Sequence, residues 1–374
     1  MLPPYVGILV NNRLYHRIPK GKTKHERVEF YVEAGKKFGF TPCFFRIQDI
    51  QPGQALVKAY VHSQEEGYVL TTIPSPQVIH NRAIYPGKQE SRILQSLTDE
   101  GKMLFNRWNR YSKLYIHALL MADPALIHHL PHTFQATPAN IKSMMNMYDS
   151  IIIKPDMSSI GRGVMKLSRT TNGWTLLYPV TLSVRNHKWR SVKFRGTNLP
   201  AVLKQRLRRG EYIVQQCLPL ATYKEQPFDL RVSVQRGGTG EWQMTGYVAK
   251  AASKRTFLTN VAQGGTIHRL ENILQEEYPH LQPAEVISNI HDLSLKIAGH
   301  LGQILPHMAD LGLDIGLTAG GVPLFIECNG KDQRYSFRKA GMLEEWKATY
   351  ENPMAYAKYL LTRSEDRSSY TTPE

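Results

Sequence analysis

Residues 151–167 read IIIKPDMSSIGRGVMKL. Ile151, Ile152 and Ile153 form the short apolar run that a buried strand requires, and Lys154 and Pro155 close it. A loop of small residues follows, with Ser158, Ser159, Gly161 and Gly163, and Val164 to Leu167 alternates as the next strand. A cation at a strand end before an amide-rich turn suits a polyphosphate. The glycines let backbone N–H groups come close to phosphate oxygens, and the serines add donors. The segment is not a Walker A loop: it lacks GxxxxGK[ST], and its lysine precedes the loop. No helix N-terminus follows to take the anion. Taken alone, the stretch also fits an ordinary β-hairpin, so the rest of the chain has to decide.

The 374 residues suffice for two or three domains, and 42% hydrophobic content can bury real cores. No stretch approaches the roughly 20 apolar residues of a membrane span. The first ten residues lack a basic region, and their apolar run is too short for a signal peptide. Cys43, Cys217 and Cys328 are far apart, odd in number and flanked by apolar residues, so reduced, buried thiols and a cytoplasmic location are expected. The net charge of +16 is uneven. Residues 157–210 hold twelve Lys and Arg and no Asp or Glu, and Arg13 to Lys24 add a second cluster. Such a field attracts nucleotides, anionic polymers, nucleic acid or acidic proteins; for any single residue a solvated face is the alternative.

Tyr5 to Val10, a helix over His25–Phe38 and a strand over Pro42–Ile47 give a β-α-β opening, with a third strand at Gln77–His80. This fits a small Rossmann-like domain, without the GxGxxG of a dinucleotide site. Helices are expected over Asn109–Met121, Pro138–Tyr148, Leu199–Arg208 and Ala284–Leu305, and a closing helix over Met354–Leu361. Strands are expected at Tyr212–Val214, Leu230–Gln235, Trp242–Lys250, Leu313–Leu317 and Val322–Glu327.

A second constellation lies near the C-terminus. Glu327 and Asn329 are two apart on an expected strand, so both side chains face one side. Asp314 lies on the preceding strand across a short Gly turn. Two carboxylates and an amide oxygen suit Mg²⁺ held against phosphates. The alternative is a turn-capping Asp314 and a Glu327 paired to a surface lysine, but the apolar flank Leu324-Phe325-Ile326 makes an unpartnered Glu costly.

With these residues together the chain resembles the ATP-grasp superfamily from about Lys113 to Asn329, and more narrowly the YheC/YheD family of endospore coat-associated proteins. The match is carried by Gln215-Gln216, by Pro227-Phe228-Asp229-Leu230-Arg231, by Thr259-Asn260-Val261 with Gly264-Gly265, and by Leu311-Gly312-Leu313-Asp314-Ile315. The ending Asn352 to Leu360 adds to it. Among enzymes the pattern is similar to ribosomal-protein-S6-type glutamate ligases and glutathione synthetases. The resemblance implies an α+β ATP-grasp fold, two subdomains gripping the nucleotide behind a small Rossmann-like α/β domain. The expected division is 1–105, then 106–214 with the phosphate loop, 215–362 with the Mg²⁺ site, and a disordered tail over 363–374.

It also implies roles. Lys113 and Lys154 would hold the ATP phosphates, under a loop containing Ser158, Ser159, Gly161, Arg162 and Gly163. Gln215, Gln216 and Leu218 would form the hinge that reads adenine. Asp314, Glu327 and Asn329 would hold one or two Mg²⁺. Arg231 would stabilise charge on the transferred phosphoryl, and Asn260 would line the substrate side. Two departures stand out. Family members often carry Pro after Asn-x-Lys, where this chain has Asp332, and an acidic residue where it has Thr318.

The implied function is an ATP- and Mg²⁺-dependent carboxylate–amine ligase with unidentified acid and amine, the basic 157–210 segment favouring an acidic peptide or polymer. A spore-coat assembly protein that binds nucleotide without turnover is the alternative, and the resemblance allows a mother-cell or coat location. His128-His129 and His132 lack other ligands at zinc spacing and read as a loop. Trp174, Trp189 and Trp242 among basic residues allow single-strand nucleic-acid binding, with core aromatics the preferred reading.

Overall fold

The computed structural model describes residues 3–23, 26–85, 87–183, 186–254 and 256–369. Three sheets organise them. The first contains β1 (Tyr5–Leu9), β2 (Thr41–Phe45), β3 (Leu56–Ser63), β4 (Gly67–Pro74), β5 (Val78–Asn81) and β6 (Met103–Phe105), in the order β4-β3-β2-β1-β5-β6. Strands β2, β1, β5 and β6 run parallel. The helix Val28–Phe38 crosses from β1 to β2 and buries Val28, Tyr31 and Ala34, which makes the expected β-α-β opening. Residue 25, the expected helix start, lies outside the described residues. The β3–β4 hairpin extends the sheet antiparallel. The sequence reading did not anticipate it, because exposed Leu56 and Leu70 blur its alternation.

The second sheet contains β7 (Thr133–Gln135), β8 (Ser150–Pro155), β9 (Met165–Thr170), β10 (Gly173–Ser183), β11 (Asn186–Phe194) and β12 (Tyr212–Gln216), in the order β11-β10-β9-β8-β12-β7. Period-2 alternation divides its faces. Ile151, Ile153, Leu167 and Leu176 point into a core closed by the helices Pro138–Met147 and Ala201–Arg209, through Ile141, Met144 and Leu203. Ile152, Lys154 and Lys166 therefore point the other way, into a cleft.

The third sheet contains β13 (Thr222–Tyr223), β14 (Gln226–Arg236), β15 (Trp242–Ala251), β16 (Thr266–His268), β17 (Asp310–Leu317) and β18 (Pro323–Asn329). Its order is β16-β15-β14-β17-β18, with β13 on β14. Phe228, Leu230, Val232 and Val234 of β14 face a core shared with Leu311, Leu313 and Ile315 of β17 and with the long helix Pro283–Ile304. Burial of each such side chain contributes about 1.5–3 kcal/mol. The intervening residues Asp229, Ser233 and Gln235 of β14, and Asp310 and Asp314 of β17, are equally buried. This sheet thus has an apolar buried face and a polar buried face, and polar groups can be buried only where they find partners.

Two helices cross between units. Lys113–Met121 places Ile116 and Leu120 in the third sheet's core. The last helix, Leu343–Ser369, returns to the first sheet, where Tyr350, Met354 and Ala357 share a core with Val6, Ile8 and Tyr31. The helix also covers residues 363–369, where the sequence reading placed a disordered tail. Residues 370–374 lie outside the described residues. Among the described residues no helix is long and apolar enough to cross a membrane. All three cysteines are free; Cys43 is buried, but Cys217 and Cys328 are only half-buried, against the expectation of three buried thiols.

Candidate functional site

A cavity of about 410 Å³ opens between the cleft face of the second sheet and the polar face of the third. Lys154, Ser159, Gly161, Gln215, Gln216 and Leu218 contribute walls from the second sheet and its loops. Arg231, Asp314, Glu327 and Asn329 line the opposite side, and Asn260 joins from the segment after β15.

The loop over 156–164 joins β8 to β9, which pair antiparallel. Gly161 holds φ +67°, and Ile160 holds φ +58°, which is costly for a β-branched residue. That conformation is gripped from the third sheet's side, where Gln263 Nε2 donates to Ile160 O at 3.2 Å. Lys113 opens its helix beneath the loop and donates to Ser158 O at 2.7 Å and Asp156 O at 3.1 Å. Asp156 in turn accepts from Leu114 N at 2.9 Å, which anchors the helix to the loop. Lys154 is buried, and its ammonium donates to Ile326 O at 3.3 Å. Burial lowers its pKa to about 8, with the neighbouring Glu327 opposing. It is a desolvated cation positioned to gain from an anion.

The ladder of the third sheet sets up the other wall. Arg231 stands opposite Asp314, Asp229 opposite Lys250, and Asp314 opposite Glu327. Lys250 Nζ lies 2.6 Å from Asp314 and 3.0 Å from Asp229. Arg231 Nη2 lies 3.3 Å from Asp314 Oδ1, and Nη1 lies 3.7 Å from Asp332 Oδ1. Burial acts to raise the Asp314 pKa, but Arg231 and Lys250 outweigh it and hold the carboxyl below its ordinary value. For Asp229 burial dominates, and its pKa is raised despite Lys250. Thr259 Oγ1 donates to Asp229 Oδ2 and ties the segment after β15 to the same cluster.

Asp314, Glu327 and Asn329 line the same cavity. Asn329 Nδ2 lies 3.3 Å from Asp314 Oδ2, and a half-turn of that amide would present its oxygen instead. Among the described residues no group of three or more His, Cys, Asp and Glu side chains could hold a metal. The set is two carboxylates and an amide, hard oxygen donors that fit Mg²⁺ only if water or phosphate oxygens complete its shell. That is the usual state of Mg²⁺ beside a nucleotide.

Some expected residues stand behind the walls. Lys113, Ser158, Arg162 and Gly163 do not line the cavity. Lys113 is occupied by loop carbonyls, Ser158 Oγ turns back to Arg162 O at 3.2 Å, and Arg162 is exposed. At the end of β12, Gln215 Nε2 donates to Thr133 Oγ1 at 2.9 Å, and the N–H groups of Gln216 and Cys217 are taken by His132 and Ser150 carbonyls. The sequence reading missed Lys250 and did not assign Asp229. The available signal was a lysine inside Val248-Ala249-Lys250-Ala251-Ala252, a charge in an apolar run that requires a buried partner.

The competing motifs resolve locally. His129 Nδ1 meets Pro323 O at 2.8 Å and His132 Nδ1 meets the Tyr148 hydroxyl, so these rings serve loop structure. Trp174 is buried in the second core and Trp242 packs on the third. Trp189 packs against Phe257, with ring centroids 5.5 Å apart, beside the cavity. Arg82, at the end of β5, is buried in ion pairs with Glu26 and Asp310 at 2.9 and 3.1 Å.

The profile of the YheC/D-like ATP-grasp family matches residues 101–360. The chain belongs to that family. Within it, the endospore coat-associated protein YheD of Bacillus subtilis (strain 168) is 25% identical over 83% of this chain and 68% of its own length. YheC of the same organism is 22% identical over 92% of this chain and 96% of its own. The fold of this YheC/D-like chain is similar to that of solved ATP-grasp structures. The ligase PsnB, complexed with a phosphomimetic variant of its minimal precursor, Mg and ADP, aligns with TM-score 0.53 at 14% identity, covering 97% of this chain and all of that one. The VanG D-Ala:D-Ser ligase of Enterococcus faecalis aligns with TM-score 0.54 at 11% identity, covering 96% and 99%. These likenesses establish the ATP-grasp fold.

Proposed function

We propose that the chain is an ATP- and Mg²⁺-dependent carboxylate–amine ligase. The observation that carries this reading is the convergence of Lys154, Arg231 and Lys250 with Asp314, Glu327 and Asn329 on one cavity between two sheets. In-line phosphoryl transfer needs fixed positive charge around spreading negative charge, in a site where water is scarce. Lys154 meets the phosphates from the second sheet and Arg231 from the third, while Lys250 neutralises Asp314 and Asp229 in the wall beside them. Mg²⁺ supplies charge neutralisation at the phosphates when bound, and Asp314, Glu327 and Asn329 are the residues that would hold it. The hinge at Gln215, Gln216 and Leu218 takes the adenine.

The chemistry has two steps. A substrate carboxylate oxygen attacks the γ-phosphorus of ATP, and ADP leaves with the electrons of the broken P–O bond. The amine nitrogen then attacks the acyl carbon. A C–N bond forms, inorganic phosphate leaves, and the ammonium proton passes to water. The cluster of basic residues over 157–210 favours an acidic peptide or polymer as one substrate. The names of YheC and YheD extend the proposal to the spore coat.

The test is ADP release with Mg·ATP and panels of acids and amines, alongside calorimetric binding of Mg·AMPPNP. Lys154→Ala and Glu327→Ala are expected to abolish turnover and weaken nucleotide binding at least about tenfold, or about 1.4 kcal/mol. Unchanged binding and turnover in both variants would overturn the site. Tight binding with no turnover under any acid–amine pair would favour a nucleotide-binding coat assembly protein instead.

A further inference from the structure

Beyond the cavity floor, the polar face of the third sheet continues into a loop, 330–334, that none of the roles above uses. Asp332 lies on that loop and is fully buried. Ser233 Oγ donates to its Oδ2. Among the described residues its Oδ1 makes no hydrogen bond; it lies 3.7 Å from Arg231 Nη1, which is also buried and has no hydrogen-bond partner there. The backbone oxygen of Asp332 accepts from Arg82 Nη2 at 2.9 Å, so the loop is pinned to the first sheet.

The space for this pair comes from Gly312. A Cβ at that position would fall 2.4 Å from Arg231 Nη1 and 2.5 Å from Asp332 Oδ1. Directly along the strand, Asp314 takes the other end of the same guanidinium at 3.3 Å. Arg231 is thus held at both ends, by a carboxylate in the cavity and by one behind it. A guanidinium held only from the cavity side would be free to follow Asp314; the Asp332 carboxylate attracts its Nη1 end the other way by charge, at 3.7 Å.

We infer that Asp332 is the positioning residue for Arg231, drawing one end of its guanidinium into the space that Gly312 leaves empty so that the other end faces the cavity. The kinetic consequence rests on the proposed ligase reading; the geometric assignment does not. Asp332 never touches substrate. Its effect passes through Arg231 to the transferring phosphoryl, and a misplacement of about 1 Å in such a group costs about 10²-fold in rate.

The experiment uses the full chain and Asp332→Asn, which keeps the volume and an acceptor for Ser233 while removing the charge. Crystal structures of wild type and variant with Mg·AMPPNP read the geometry directly. Arg231 is expected to leave the space beside Gly312, and an unmoved guanidinium would overturn the inference. In ADP-release assays the variant should lose about 10²-fold in kcat while the AMPPNP Kd stays within about threefold. In an Arg231→Ala background the same substitution should add nothing, because Asp332 acts only through that side chain. Losses that multiply, or a variant kcat within about twofold of wild type, would reject the role. Gly312→Ala should reproduce the displacement of Arg231. A wild type that binds no Mg·AMPPNP would sink the ligase reading, while the crystal comparison without nucleotide would still decide the position of Arg231.

Discussion

Lys250 Nζ stands 2.6 Å from Asp314 Oδ1, and the lysine is only 4% exposed. Asp229 lies on its other side at 3.0 Å. Burial acts to lower the Lys250 pKa, but the two carboxylates outweigh it and hold the pKa above its ordinary value. The charged lysine is therefore the counterion that lets two aspartates share one buried wall. Lys250→Met should leave both carboxylates without it and destabilise the protein by about 3–5 kcal/mol. Lys250→Met combined with Asp229→Asn should recover a large part of that loss. Urea unfolding of the three variants measures both effects. Equal stability of Lys250→Met and wild type would show that water reaches this wall and screens the carboxylates.

What the sequence made legible divides by distance along the chain. The Lys154 loop and the Glu327-x-Asn329 pair are local patterns, in which strand alternation alone decides which way each side chain points. Asp314 was legible because one short turn joins its strand to the next. Lys250 and Asp332 were not, since each acquires meaning only from partners on other strands: Asp229 across the hairpin and Asp314 64 residues on for one, Arg231 and Ser233 about a hundred residues back for the other. The β10–β11 hairpin escaped because basic residues interrupt its apolar alternation. The last helix was read too short at its start because Pro353 reads as a helix boundary, although Tyr350 and Trp346 pack one and two turns before it, and too short at its end because the sequence after Leu361 is polar.

Gly161 meets its neighbours closely enough to give a second test. A Cβ there would sit 2.7 Å from Asn260 Oδ1 and 3.0 Å from Leu258 Cδ1, and the residue already holds φ +67°. Gly161→Ala should strain the loop by about 1–2 kcal/mol and push it away from the segment after β15. The expected result is roughly tenfold weaker Mg·AMPPNP binding, with little change in thermal stability because the loop is peripheral to the cores. Calorimetry and a melting curve separate the two. Unchanged affinity would mean that the loop does not close over the nucleotide in this conformation.

Met354 ties the C-terminal helix to the first sheet. It is fully buried in the core that holds Val6, Ile8 and Tyr31. Met354→Ala should cost about 2–5 kcal/mol through lost burial and the cavity left behind. Because the helix packs on the helix Val28–Phe38, limited proteolysis of the variant should cut first in the N-terminal 105 residues. Preferential cleavage in the second sheet would contradict this packing.

His80 gives the pH dependence of the same interface. It is fully buried, stacked on Phe105 with centroids 4.4 Å apart, and its Nε2 lies 3.3 Å from Asp310 Oδ2. Arg82 and Arg334 face it from β5 and from the loop after β18. Burial lowers its pKa from 6.5 to about 4, more than Asp310 raises it. Between those values the unfolded chain takes a proton that the folded one refuses. Stability therefore falls as pH falls through 6.5 to 4, by about 3 kcal/mol from this residue. Glu26 continues the trend. Burial acts to raise its pKa, but Arg82 and Arg334 prevail and bring it from 4.5 to about 2, so its contribution is present above 4.5 and lost below. Urea midpoints at pH 7, 5.5 and 4 should decline in wild type. The decline should be shallower in His80→Gln, which has no proton to take up, with buried His117, whose pKa burial also lowers, supplying part of the remaining slope. Parallel declines in the two proteins would mean that His80 is already protonated in the fold and paired with Asp310.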